Sequence, residues 1–119
     1  MSETPVRLAP FNADFTAENG PVKVERRSKP SGLTELSAGM VHFPEAGSTD
    51  PWTLPYEEAF YVIEGCLTLH CDGQAVVARA GDVVTLEKGS TVVYEGEAGT
   101  RAFFSLVPAN WLELLEESE

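Results

Sequence analysis

Few residue types in this 119-residue chain can do chemistry: two cysteines, two histidines and three tyrosines stand among 19 acidic and 8 basic side chains. The richest stretch runs from Trp52 to Gly65 and contains Tyr56-Glu57-Glu58. A carboxylate near a phenol suits general acid/base work or the orienting of a bound ligand. Cys66 and Cys71 lie five apart in one apolar run. An extended chain points them to opposite faces, so a bridge between them is geometrically poor. Neither belongs to a Cys-x-x-Cys pair, and both read as structural thiols. Lone histidines on strands, as His42 and His70 are, serve structure more often than catalysis. No G-x-x-x-x-G-K-[ST] phosphate cradle exists, and Lys88-Gly89-Ser90 falls in a turn between strands rather than before a helix.

These residues are carried by short runs of Val, Leu, Thr, Phe and Tyr, separated by turn signals roughly every ten residues, the rhythm of a sandwich or barrel. Val22 to Arg27 alternates apolar and charged residues. Ser28 to Gly32 is a loop by composition. Leu33 to Phe43 reads as a broken strand, with Gly39 a bulge or close-approach point. Pro44 to Pro51 is a loop, and Glu58 to Ile63 a central strand. Cys66 to Cys71 follows the Gly65 turn, and Asp72-Gly73 signals a hairpin. Ala75 to Arg79, Val83 to Leu86, Thr91 to Tyr94 and Arg101 to Val107 complete about eight strands. Trp111 to Leu115 has the one helical pattern. Residues 1–30 form an N-terminal extension, anchored by Leu8, Phe11 and Phe15 on the barrel or on a partner subunit, and residues 31–119 the main domain.

One domain is expected from the length, and 43% hydrophobic residues allow one sizeable core. The formal net charge of −11 argues against nucleic acid and anionic membranes as partners. No run of about 18 apolar residues offers a membrane span. The first residues, Met1 to Pro5, lack the pattern of a secretory signal. A reduced, cytoplasmic protein is the consistent expectation.

The order of turns resembles the cupin superfamily, an all-β double-stranded β-helix (jelly-roll barrel), here with a short C-terminal helix. Glu58 through Gly65 fits its E-x6-G element, and Gly81 through Gly89 fits G-x5-P-x-G with Glu87 in the proline slot. The resemblance implies three metal-binding histidines beside that glutamate. Their slots fall on Trp52, Leu54 and Val92, and the last asparagine slot on Gly96. An indole, an isobutyl and an isopropyl group offer no lone pair to a divalent ion, so no metal and no cofactor is expected. The Tyr56-Glu57-Glu58 run, Glu64-Gly65 and the ending Val107-Pro108-Ala109-Asn110-Trp111 resemble the ethanolamine-utilisation (EutQ-like) cupins. That family lacks the histidine set and commonly ends in Pro-Ala-Asp-Trp. It is linked to ethanolamine utilisation, often with bacterial microcompartments, and has been attributed an acetate kinase activity.

If Glu58 faces inward, as its family slot implies, Phe60 and Val62 share that face, and Tyr94 follows Val92 into the same cavity. Trp52 and Tyr56 form an aromatic lid or cover the end of the core, and His42 stands where it could point in beside Glu58. Trp111 with Leu112, Leu114 and Leu115 reads as a cap on the barrel or on a second subunit. The expected ligand-binding set is Trp52, Tyr56, Glu58, Phe60, Tyr94 and His42, with Glu58 the candidate catalytic group or a fold relic satisfied by a tyrosine hydroxyl. Three functions follow. The first is a metal-free binding or accessory protein for a small organic ligand. The second is an acetate-kinase-like or acid/base enzyme using Glu58, Tyr56 and Tyr94. The third is a metal enzyme using Glu58 and His42. A homodimer is expected, since cupins associate through sheet edges and N-terminal segments.

Overall fold

The computed structural model describes residues 5–117; the start of the expected signal-free N-terminus, Met1 to Thr4, and the final Glu119 lie outside them. The strands are β1 (Thr16–Asn19), β2 (Val22–Glu25), β3 (Ser37–Phe43), β4 (Gly47–Ser48), β5 (Trp52–Thr53), β6 (Glu57–Glu64), β7 (Cys66–Cys71), β8 (Gln74–Arg79), β9 (Val83–Leu86), β10 (Thr91–Gly96) and β11 (Thr100–Val107), and the one α-helix is α1 (Trp111–Glu117). They form two antiparallel sheets, a six-stranded one ordered β1-β2-β3-β11-β6-β9 and a five-stranded one ordered β4-β10-β7-β8 with β5 also on β10. This is the expected jelly-roll architecture. Among the described residues no helix is long and apolar enough to cross a membrane.

Alternation sorts each strand into a core face and an outer face. On β6, Glu58, Phe60 and Val62 are buried while Glu57 and Tyr61 are exposed. Phe43, Leu54, Val62 and Leu67 are the largest fully buried apolar side chains, and they fill the space between the sheets. Asp72 and Gly73 both take positive φ, 54° and 76°, and join β7 to β8 as a two-residue hairpin. Gly39 is a point of close approach, because a Cβ there would run into the Glu25 carbonyl oxygen across the β2–β3 pair. Thr100, fully buried, ties the end of β11 to β7: its Oγ1 accepts from the Cys66 N–H at 3.0 Å and donates to the Cys66 carbonyl at 3.1 Å.

Several local expectations are corrected. β1, β4 and β5 are short strands absent from the sequence reading. β3 begins at Ser37 rather than Leu33, because Leu33 and Leu36 lie on a loop beside the central cavity. Leu8 is 95% exposed and anchors nothing on this chain's barrel. The extension is held instead by β1 and β2, which continue the sheet from β3, and by Arg27, which donates to the Ala9 carbonyl. On α1, Trp111 packs against the barrel core as a cap, while Leu112, Leu114 and Leu115 are largely exposed on this chain.

Candidate functional site

The two sheets enclose a cavity of about 680 Å³, open at the end where β1, β2 and residues 109–113 meet. Glu58 projects into it from β6 in one sheet, and Tyr94 from β10 in the other. The Tyr94 hydroxyl donates to Glu58 Oε1 at 2.9 Å, a side-chain hydrogen bond that joins the two sheets across the cavity. Glu58 is only 8% exposed. Burial pushes its carboxyl up to about 7, and the bond from Tyr94 opposes that rise by stabilising the carboxylate. Near neutral pH it can therefore take up or release a proton. Burial and the charge of Glu58 push the Tyr94 hydroxyl up, so it remains a donor.

Tyr94 is itself fixed from both sides. The Thr49 N–H donates to its carbonyl at 2.9 Å, and its own N–H donates to Thr49 Oγ1 at 3.0 Å. Phe60 packs edge-on against the Tyr94 ring with centroids 5.9 Å apart. Nearer the opening, the Trp52 indole N–H donates to the Tyr56 hydroxyl oxygen at 3.0 Å. Trp111 meets both rings edge-on, at 5.9 Å from Trp52 and 5.4 Å from Tyr56. Burial and the charge of Glu58 push the Tyr56 hydroxyl up, against the Trp52 hydrogen bond and the charge of Arg26. The two expected aromatic residues thus form a cluster whose third ring comes from α1.

The family described as "Ethanolamine utilisation protein EutQ" matches residues 30–113. The chain belongs to the EutQ family. It is 35% identical over 81 residues to the protein called acetate kinase EutQ in Escherichia coli (strain K12), a match covering 68% of this chain and 34% of that one. The chain thus spans about a third of that relative's length. The solved structure of the Clostridium difficile EutQ protein superposes with a TM-score of 0.74 at 25% identity, covering 86% of this chain and 82% of that one. An RmlC-like cupin from Shewanella frigidimarina NCIMB 400 superposes at 0.65 with 20% identity, covering 82% and 88%, and shares the fold.

In this EutQ-family barrel the residues do not fit a transition metal. Leu54 and Val92, in two of the histidine slots, are core residues, and the Trp52 nitrogen in the third is a hydrogen-bond donor. His42 is not brought to the cavity. Its neighbours Val41 and Phe43 face inward, and His42 lies on the other face of β3 between Lys23 and Arg101. It is one residue out of phase. Among the described residues no group of three or more His, Cys, Asp or Glu side chains is placed to hold an ion. Gly96, in the asparagine slot, is pressed by the Phe43 ring, which a Cβ there would strike.

Trp52, Tyr56, Glu58, Phe60 and Tyr94 all line the cavity; motif spacing and strand parity predict this for Glu58, Phe60 and Tyr94, whereas for Trp52 and Tyr56 the expectation is a lid or end cover. The sequence reading omitted Thr49, Arg26, Lys29 and Asn110, which line it too. Arg26 carried a usable signal: it continues the Val22, Val24 phase, and those two residues also face the cavity. Lys29 arrives through a short 3-10 turn, Lys29–Ser31, that has no periodicity to read. Thr49 is positioned by a two-residue strand, below the length at which alternation is visible.

Proposed function

We propose that this EutQ-family cupin is a metal-free, cytoplasmic binding or accessory protein of ethanolamine-utilisation type metabolism, and that it holds a small organic ligand between its sheets. The buried Tyr94–Glu58 hydrogen bond inside a roomy cavity carries the reading. A carboxyl kept in an apolar enclosure is costly unless it is used, and this one is placed to accept from or donate to a ligand. Trp52, Tyr56 and Trp111 line the outer end, and residues 16–29 supply part of the wall. Exposed Tyr61, Phe103 and Val83, neighbours across β9, β6 and β11, favour association of two copies. The test is a thermal-shift screen of small amines, alcohols and acids, including ethanolamine and acetate. Compounds that stabilise the wild type should not stabilise Glu58→Gln; equal shifts in both proteins would remove Glu58 from the site.

A second reading, an acetate-kinase-like or acid/base enzyme using Glu58, Tyr56 and Tyr94, is favoured by the name given to the E. coli relative and by the cations Arg26 and Lys29 at the cavity. Phosphoryl transfer requires such charge to offset the phosphates. ATP turnover dependent on acetate and abolished by Arg26→Gln would establish it; no turnover at any substrate level would leave the binding role.

A further inference from the structure

Arg26 and Lys29 have no counterpart elsewhere in the site. They follow β2 directly, and the Lys29 N–H donates to the Arg26 carbonyl at 3.3 Å, so the turn holds their backbones together. Both side chains are exposed and line the cavity. Among the described residues neither has an ion-pair partner, although the chain has 19 acidic residues to choose from. Arg27, between them, is paired with Glu25 at 2.8 Å and turned away from the cavity. The charge of Arg26 reaches inside, where it offsets part of the rise that burial and Glu58 impose on the Tyr56 hydroxyl.

The cavity is therefore polarised: cations at the outer end, a carboxyl at the inner end, and Phe60, Phe104 and Leu106 between the sheets. An anion at the inner end would face Glu58, whose ionised form repels it. Glu18 and Glu113 share the outer wall, so an anion is favoured there only where the two cations stand together. A volume of about 680 Å³ far exceeds what a two-carbon acid fills, and pockets of this order enclose ligands with a substantial apolar body. We propose that the cavity takes an amphipathic organic anion, with its carboxylate or phosphate end on Arg26 and Lys29 and its apolar body against Phe60 and Phe104. This assignment rests on the ligand-binding reading above and adds the ligand class and the residues that select it.

Both tryptophans of the chain, Trp52 and Trp111, border the cavity, so intrinsic fluorescence reports its occupancy. Three probes share one apolar body, an unbranched eight-carbon chain: nonanoate, octyl phosphate and octanol. Each is titrated against the wild type and the Arg26→Gln/Lys29→Gln double variant, whose exposed positions leave the fold intact, checked by the melting temperature. At least one of the two anions should bind about tenfold more tightly than octanol, the gain expected from two partly solvated charge pairs, and the double variant should erase that gain while keeping octanol affinity. The tighter of the two anions identifies the head group. Equal affinity for all three probes, or an anion preference that survives the double substitution, overturns the ligand class and leaves the cavity reading standing. Failure of all three to bind overturns the ligand class, and the thermal-shift screen with small amines, alcohols and acids then decides the cavity reading separately.

Discussion

With burial holding Glu58 near 7, about half of the molecules carry its proton at neutral pH, and small changes in its surroundings move that balance. The Tyr94 hydroxyl stabilises the charged form. Tyr94→Phe should therefore raise the Glu58 midpoint above about 7, read from the carboxyl carbon shift in an NMR titration. A fall would mean that the bond is not made. The same shift has a stability consequence. A carboxyl that titrates at 4.5 when unfolded and at about 7 when folded favours the native state most at low pH. That contribution is lost as pH rises from 4.5 to 7, by roughly 3 kcal/mol. Glu58→Gln, neutral throughout, should show a flatter decline over that window in denaturant melts; parallel curves would refute it. Glu58, Phe60 and Tyr94 were legible beforehand because motif spacing supplied one inward residue and parity the others. His42 was misplaced because the phase of β3 could not be tied to β6 from sequence, whereas Val41 and Phe43 settle it in space.

At the level of strands and helix, the long runs were readable because four or more alternating residues bounded by turn residues leave one interpretation. β4 and β5, two residues each, exist through their pairing with β10, which no local pattern announces. The leucines of α1 are exposed on this chain, since helical spacing reports a stripe but not what covers it. Trp111 attaches the helix to the barrel through edge contacts with Trp52 and Tyr56. Trp111→Ala should cost about 2 kcal/mol and speed amide exchange over residues 111–117, while β6 and β10 stay protected. Unchanged exchange in α1 would show that the ring does not hold it. On β10, Gly96→Asn restores the residue of the superfamily pattern yet should destabilise by about 1–3 kcal/mol, because the Phe43 ring occupies that space. Neutral behaviour in thermal melts would contradict the packing.

The whole molecule is an acidic jelly roll whose fold class was evident from turn rhythm and composition, and whose mode of association was not. Elemental analysis of purified protein should find no stoichiometric transition metal, and chelator should leave the melting temperature unchanged; a bound metal would overturn the reading of Trp52, Leu54 and Val92. Sedimentation should give a dimer that Tyr61→Lys with Phe103→Lys shifts toward monomer, and an unaffected dimer would place the contact elsewhere. Part of the cavity wall is assembled from residues 17–29 and 109–113, segments some ninety residues apart in the chain. Access to the interior is then a matter of rates as well as affinities. The mouth of the cavity lies between those two segments, so the residence time of a ligand seated against them is expected to follow the local opening free energy of β1, β2 and α1 rather than the far larger global one. Occupancy should slow exchange in both segments together, and a substitution that loosens either one should speed arrival and departure alike while leaving the barrel itself untouched.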